Sequence, residues 1–362
     1  MTTRTLLRGS ITMSMTRPLR ELPKCELHIH LEGAMRTETL ADLCAKHGIT
    51  RPEDTRHRRY SNFDAFASAY RAACECLRHR DDVFRIVREL LEDALAAGCR
   101  WVEVAPSLQL WCDRFDGLEP TVLLLLEAAA AAEDSLGGRV ACAYIFSAER
   151  HEPAANAERL ATVVGGVVSR GQHLVHGRAG IVGFGLHSAE PGNPPAPFAE
   201  AFRIAAAAGL AAFPHAGELA PGGGVSGADS VRSAVDDLGA RRVAHGVLCF
   251  CDKPLVQRLA REAICLDVCP SSNVLLRSVP SLEEHPLPAL LRAGVPVTIN
   301  SDDPLLFGPR LLEEYEACRA ELHMTDEELA RAATCSFEHS MAPEDVKRRG
   351  VADVKRWLEG AG

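Results

Sequence analysis

Apolar positions along the chain follow two rhythms. Short runs of apolar and β-branched residues recur, and between them lie longer stretches whose apolar residues return every three or four positions. The first rhythm predicts buried strands and the second amphipathic helices. The strand-like runs are KCELHIHL (Lys24 to Leu31), CRWVEVAPS (Cys99 to Ser107), RVACAYIFSA (Arg139 to Ala148) and GIVGFGLHS (Gly180 to Ser188), then AAFPHAGE (Ala211 to Glu218), RRVAHGV (Arg241 to Val247), ICLDVCPSSN (Ile264 to Asn273) and VPVTINSDD (Val295 to Asp303). Segments such as ETLADLCAKHG, DDVFRIVRELLEDALAAG, PAPFAEAFRIAAAAG, DKPLVQRLAREA and PLPALLRAG separate them, and several close on a glycine, as helix C-termini do.

Strand alternating with helix predicts a parallel sheet, and eight such units predict an α/β fold of the (β/α)8 TIM-barrel type in one domain, residues 21 to 362. A doubly wound open sheet is the alternative. Residues 1–20 are expected to be a disordered N-terminal extension. The first connection, Glu32 to Gly98, is far longer than the rest. It predicts extra helices over one end of the barrel, one of them in SNFDAFASAYRAACECL.

Composition narrows the class. The 362 residues are 47% apolar, enough for a large core, and the net charge of −9 argues against a nucleic-acid surface, which needs clustered basic residues. The single basic cluster, Arg56 to Tyr60 (RHRRY), is expected to be a solvated loop. No apolar run approaches the ~18 residues of a membrane span, and TVLLLLEAAAAAEDS from Thr121 reads as a helix. The N-terminal MTTRTLLRGSITMSMTRPLREL lacks the apolar core of a signal peptide, and Met13 and Met15 leave the start open. Thirteen cysteines without any C-x-x-C, several in apolar strand-like contexts, predict small core residues in a reducing cytoplasm. The expectation is a cytoplasmic protein with a small-molecule partner, no nucleic acid and no membrane. The pattern sets no oligomeric state.

In such barrels the chemistry sits where strands end. The first strand ends in His28 and His30, two apart and therefore on one face. The fifth supplies His215 and Glu218, the sixth His245, and the eighth Asp302 and Asp303. Two adjacent carboxylates closing a buried strand are costly away from water. Taken singly, each residue reads as a satisfied core histidine or a surface acid. Together, four histidines and three carboxylates converge on one end of a barrel. Imidazole nitrogens with carboxylate oxygen, and no thiolate nearby, suit Zn²⁺ or a related first-row ion, held by three histidines and one aspartate. Such an ion would lower the pKa of a water it holds to ~7. Glu218 is then the natural proton-transfer group, while His245 and the second aspartate would orient nucleophile and substrate.

The strings LPKCELHIHLEGA, PHAGE, RRVAHGV, DVCPSSN and TINSDDP, in this order between about Leu22 and Met341, resemble the signature motifs of the adenosine/adenine deaminase family of the metal-dependent amidohydrolase superfamily. The resemblance implies a barrel with one zinc ion that replaces the 6-amino group of a purine by oxygen and releases ammonia. By it, His28, His30, His215 and Asp302 are the zinc ligands, and His30 also borders the substrate. Glu218 protonates purine N1, His245 positions the attacking oxygen, and Asp303 pairs with purine N7. Adenosine-specific members have an aspartate that contacts ribose where this chain has Glu32, and a glycine near purine N3 where it has Ser188. His187, before Ser188, is either a substrate contact or a supporting residue. The first-choice substrate is adenosine or a close relative. Free adenine and a modified nucleoside such as aminodeoxyfutalosine are the alternatives. The absence of lysine from GIVGFGLHS argues against a two-metal amidohydrolase, and the absence of C-x-x-C excludes the cytidine-deaminase type. A purine-binding protein without activity on the same barrel is the reading from another class.

Overall fold

The computed structural model describes residues 17–220 and 222–360. Eight parallel strands run in chain order around the molecule: β1 (Lys24–His30), β2 (Cys99–Ala105), β3 (Ala141–Glu149), β4 (Ile181–His187), β5 (Ala211–Ala216), β6 (Arg242–His245), β7 (Cys265–Val268) and β8 (Val297–Ile299). Each pairs with the next, as sequential strands joined by right-handed crossovers do. The ring closes just beyond β8. The His30 N–H donates to the Asp302 carbonyl at 3.0 Å, and the Asp302 N–H donates to the His28 carbonyl at 3.2 Å. Asp302 is thus the seam of the barrel as well as the end of its last strand, and the fold is a (β/α)8 TIM barrel. Strands buried on both faces explain the near-continuous apolar runs.

The first crossover carries α1 (Thr37–His47), α2 (Phe63–Cys74) and α3 (Arg80–Ala96). Gly48, at φ 64°, stops α1, and the Asn62 side chain caps α2 by accepting from the Ala65 N–H at 3.0 Å. Helix α2 lies over the C-terminal end of the strands, where Phe66 stacks on Phe307 at 5.3 Å between ring centroids. An additional antiparallel hairpin, Leu174–Val175 with Arg178–Ala179, precedes β4 and was not expected from the apolar pattern. Two residues per arm carry too little alternation to register.

Two expectations change. Residues 1–16 of the proposed N-terminal extension lie outside the described residues, but packing begins before residue 21. Leu19 is buried, Arg17 pairs with Asp326, and the Pro18 carbonyl accepts from Trp357. The segment RHRRY is not simply solvated. Arg58 and Arg59 are exposed and Arg56 is half-buried, yet Tyr60 is buried against Phe66 and Phe307, and the His57 N–H donates to the Phe307 carbonyl. A charge-based reading cannot see that the loop's backbone docks on the segment after β8.

The barrel floor is polar but satisfied. Arg242, fully buried, donates to Glu103 at 2.7 Å and to Asp267 at 2.8 Å, and its guanidinium lies 3.9 Å from the Phe213 ring centroid. Thr298 completes Asp267 at 2.8 Å. A buried ion pair persists only when its remaining lone pairs and protons find partners. Twelve of the thirteen cysteines are buried, Cys251 alone being exposed, and all are free thiols. No helix among the described residues is long and apolar enough to cross a membrane.

Glu314, wholly buried behind β8, illustrates the cost of an isolated acid. Burial raises its pKa from 4.5 to about 8, against hydrogen bonds from Ser271 that pull the other way. The unfolded chain releases this proton near the ordinary value while the folded chain keeps it. Wild-type stability therefore falls as pH rises between about 5 and 8. Glu314→Gln is expected to gain on the wild type by a few kcal/mol across that window. Urea midpoints at pH 5 and pH 8 measure this, and an unchanged difference would contradict it.

Candidate active site

The strand ends bring the expected residues together. His28 and His30 share one face of β1, and the Nε2 atoms lie 3.2 and 3.3 Å from the same Asp302 oxygen. Donor atoms of His28, His30, His215 and Asp302 all lie within 4.8 Å of one another, and all four residues are buried. The His28 ring centroid is 4.6 Å from that of His215 and 4.5 Å from that of His245. Asp302, His245 and Ser188 sit at φ 61°, 62° and 78°, the left-handed region that costs a residue with a side chain roughly 1–3 kcal/mol. All three line the cavity at the strand ends, so the strained backbone coincides with the site.

This cluster tests whether a metal fits. His28 Nε2, His30 Nδ1 and His215 Nδ1 are buried without a hydrogen-bond partner, although buried polar atoms are nearly always paired. The His28 Nδ1 lies 3.1 Å from the Asp267 carbonyl, which can only accept. Nδ1 therefore carries the proton, and Nε2 presents a lone pair. Three imidazoles and a carboxylate held within 4.8 Å of one another, with His28 Nε2 presenting a lone pair, match the donor set of a first-row divalent cation. The sequence predicts no thiol nearby. In the structure Cys269 reaches within the same 4.8 Å of His28 and His245, and burial pushes its thiol pKa well up.

Glu218 owes its place to two neighbours. Gly217 turns the chain through φ 66°, where a Cβ would come within 2.5 Å of Val231. Glu190, buried after β4, accepts from the N–H groups of Gly217, Glu218 and Leu219 at 2.8, 3.0 and 2.8 Å. The Glu218 carboxyl lies 3.5 Å from His245 Nε2. Burial, then the charges of Asp302 and Glu190, push its pKa well above the usual carboxylate range. Arg150, equally buried, donates to the His215 carbonyl at 2.9 Å. Asp303 approaches Gly33 so closely that a Cβ there would lie 1.8 Å from its carboxyl oxygen. Burial, then Asp302, raise its pKa strongly.

The residues flagged for substrate contact divide. His30, Ser188, His187 and Asp303 line a small cavity of ≈60 Å³ that is open at its mouth; Glu32 does not. Both Glu32 oxygens are taken up by the Ser107 N–H, the Tyr70 hydroxyl and the Trp111 indole N–H. Glu32 acts through Tyr70 and Ser107, which do line the cavity. The His187 Nε2 lies 3.0 Å from Glu149. Burial alone would raise the Glu149 pKa, but His187 and then His151 hold it at about 2. His151 in turn contacts the Ser188 hydroxyl at 2.9 Å.

Glu149, His151, Arg150, Glu190, Asn273 and His285 were not expected. Position after a strand end could have flagged Glu149 and Glu190. Asn273 lies in a recognised motif, but nothing local assigns its partner.

Residues 23–357 match the family model described as Adenosine deaminase. A putative adenosine/adenine deaminase of Streptomyces virginiae is 38% identical, over 96% of this chain and all of the relative. An adenine deaminase of Streptomyces coelicolor is 35% identical, over 95% of this chain and 98% of the relative. The crystal structure of adenine deaminase from Arthrobacter aurescens superposes with a TM-score of 0.82 at 32% identity, covering 95% of this chain and 100% of that one. The chain belongs to the adenosine deaminase family and is a hydrolase acting on a purine C–N bond.

Proposed function

We propose that the protein is a zinc-dependent 6-aminopurine deaminase whose substrate is free adenine. The observation that carries the chemistry is a buried carboxyl, Glu218, 3.5 Å from His245 and beside the four-donor cluster. Zn²⁺, when held by His28, His30, His215 and Asp302, supplies the Lewis acidity that makes water nucleophilic near neutral pH.

The chain's own residues handle the protons and the orientation. Glu218, as the neutral acid, gives its proton to N1 while the water oxygen adds at C6 and the C6–N1 π pair moves to N1. Glu218 recovers one proton from that water and passes the other to the exocyclic amine, which leaves as ammonia as the C6 carbonyl forms. Of the two water hydrogens, one restores the neutral Glu218 and one leaves on ammonia, while N1 keeps the proton that Glu218 gave it. His245 holds the incoming oxygen, and Asp303 meets the purine at N7. Tyr70, Phe66 and Leu276 close the apolar side of the cavity.

Glu32 favours the free base. It stands where nucleoside-specific members contact ribose, yet its carboxylate is spent on Ser107, Tyr70 and Trp111. Adenosine is the second reading, since the matching family model is described as Adenosine deaminase. Ammonia release from adenine, adenosine, 2′-deoxyadenosine, aminodeoxyfutalosine and N6-substituted purines separates them. Adenine is expected to exceed the nucleosides in kcat/KM by about tenfold or more. A preference for a nucleoside would overturn the choice of adenine, and no turnover of any 6-aminopurine would overturn the reading itself.

A further inference from the structure

His245 stands at the end of a hydrogen-bonded line that leads away from the cavity. Its Nδ1 lies 3.2 Å from the Asn273 side-chain nitrogen. The Asn273 side-chain oxygen lies 3.2 Å from His285 Nε2. His285 Nδ1 lies 3.1 Å from the Leu287 backbone nitrogen. All three side chains are buried, so water does not compete for these contacts.

One group in this line has a role that cannot be reversed. A backbone N–H only donates, so His285 Nδ1 must accept from Leu287. A neutral imidazole that accepts at Nδ1 carries its proton on Nε2, and His285 therefore donates to Asn273. The contact atom of Asn273 must be its oxygen. A flipped amide would set NH₂ against an N–H, and a doubly protonated His285 would set an N–H against Leu287. With the oxygen on that side, the Asn273 NH₂ faces His245 and donates to its Nδ1. The His245 proton then sits on Nε2, the nitrogen 3.5 Å from Glu218 and 3.8 Å from Asp302.

We propose that His285 and Asn273 are positioning residues that lock His245 in its Nε2–H tautomer, making it a hydrogen-bond donor toward the reacting oxygen and unable to serve as the general base. The tautomer follows from the hydrogen-bond directions alone, whereas its catalytic consequence rests on the deaminase reading above. Proton transfer in the reaction then falls to Glu218. The backbone holds the line in place. The Asn273 N–H donates to the Cys269 carbonyl, and the Asn273 carbonyl accepts from the Val279 N–H, at 3.0 and 3.1 Å.

The test is a two-bond ¹H–¹⁵N correlation spectrum of zinc-loaded, ¹⁵N-histidine-labelled protein, with the His245 signals assigned by their loss in His245→Gln. The wild type should show the pattern of a proton on Nε2 alone. A proton on Nδ1, or on both nitrogens, overturns the proposal without any need for a variant. Asn273→Asp replaces the NH₂ by a second acceptor oxygen, so the His245 proton should move to Nδ1. Zinc content should stay at the wild-type level while kcat on the best 6-aminopurine falls about 100-fold and KM changes less than about threefold. A reversed tautomer with unchanged kcat would overturn the catalytic role. A protein that turns over no 6-aminopurine but shows the Nε2–H pattern supports the tautomer lock and refutes only the substrate reading.

Discussion

Glu218→Gln is expected to yield a folded, zinc-loaded protein whose kcat is lower by about 10³-fold or more. A positioned acid and base contributes roughly 10²–10⁴-fold, and Glu218 is assigned both the proton to N1 and the proton to the leaving amine. Glutamine keeps the shape and can still hydrogen-bond, but it neither gives nor takes a proton. The substitution is mild structurally, because the native carboxyl is already pushed toward its neutral form by burial and by Asp302 and Glu190. The backbone amides that Glu190 holds at residues 217 to 219 are untouched. Metal content by elemental analysis, together with ammonia release, measures both halves. Turnover within tenfold of the wild type would remove Glu218 from the proton path.

Asp302→Ala is expected to act on the metal instead. It deletes the carboxylate whose one oxygen stands 3.2 and 3.3 Å from two imidazoles and leaves only neutral nitrogen donors. Metal affinity should fall by at least about 100-fold, the upper end of what even an outer supporting residue contributes, and activity should fall with it. The seam should survive, because its hydrogen bonds with His28 and His30 use the backbone of residue 302. Alanine must still adopt φ 61°, so some stability is lost as well. Circular dichroism beside metal stoichiometry separates the two effects. A fully loaded Asp302→Ala protein would contradict the ligand assignment.

Particular residues show how far local pattern reaches. His28 and His30 were legible because a strand places alternate residues on one face, and both stand at its end. Glu218, His245, Asp302 and Asp303 were legible because each follows a short apolar run that a barrel must bury. The surroundings of Glu32 were not legible, for a physical reason. Its position predicts a substrate contact, but Tyr70 from α2 and Ser107 and Trp111 from beyond β2 engage its carboxylate first. Tyr60 was misjudged because its arginine neighbours suggest solvent, while its own ring packs on Phe66 and Phe307. Cys269 was placed away from the metal cluster because apolar context says nothing about direction across a barrel mouth.

Periodicity and motif order by themselves determined the alternation of strand and helix, the eight-stranded barrel, and the set of imidazoles and carboxylates at its C-terminal end. These are properties of short stretches, and each stretch carries its own signal. Only the tertiary structure decided which of those groups meet. It made Asp302 both the seam of the barrel and the neighbour of two histidines. It turned Glu32 away from the cavity, set Glu149 against His187, and ran a line of hydrogen bonds from Leu287 through His285 and Asn273 to His245. Apart from Leu287 and His285, such partners come from positions a dozen to hundreds of residues apart, brought within about 3 Å by ring closure and strand register, and no local pattern encodes that distance.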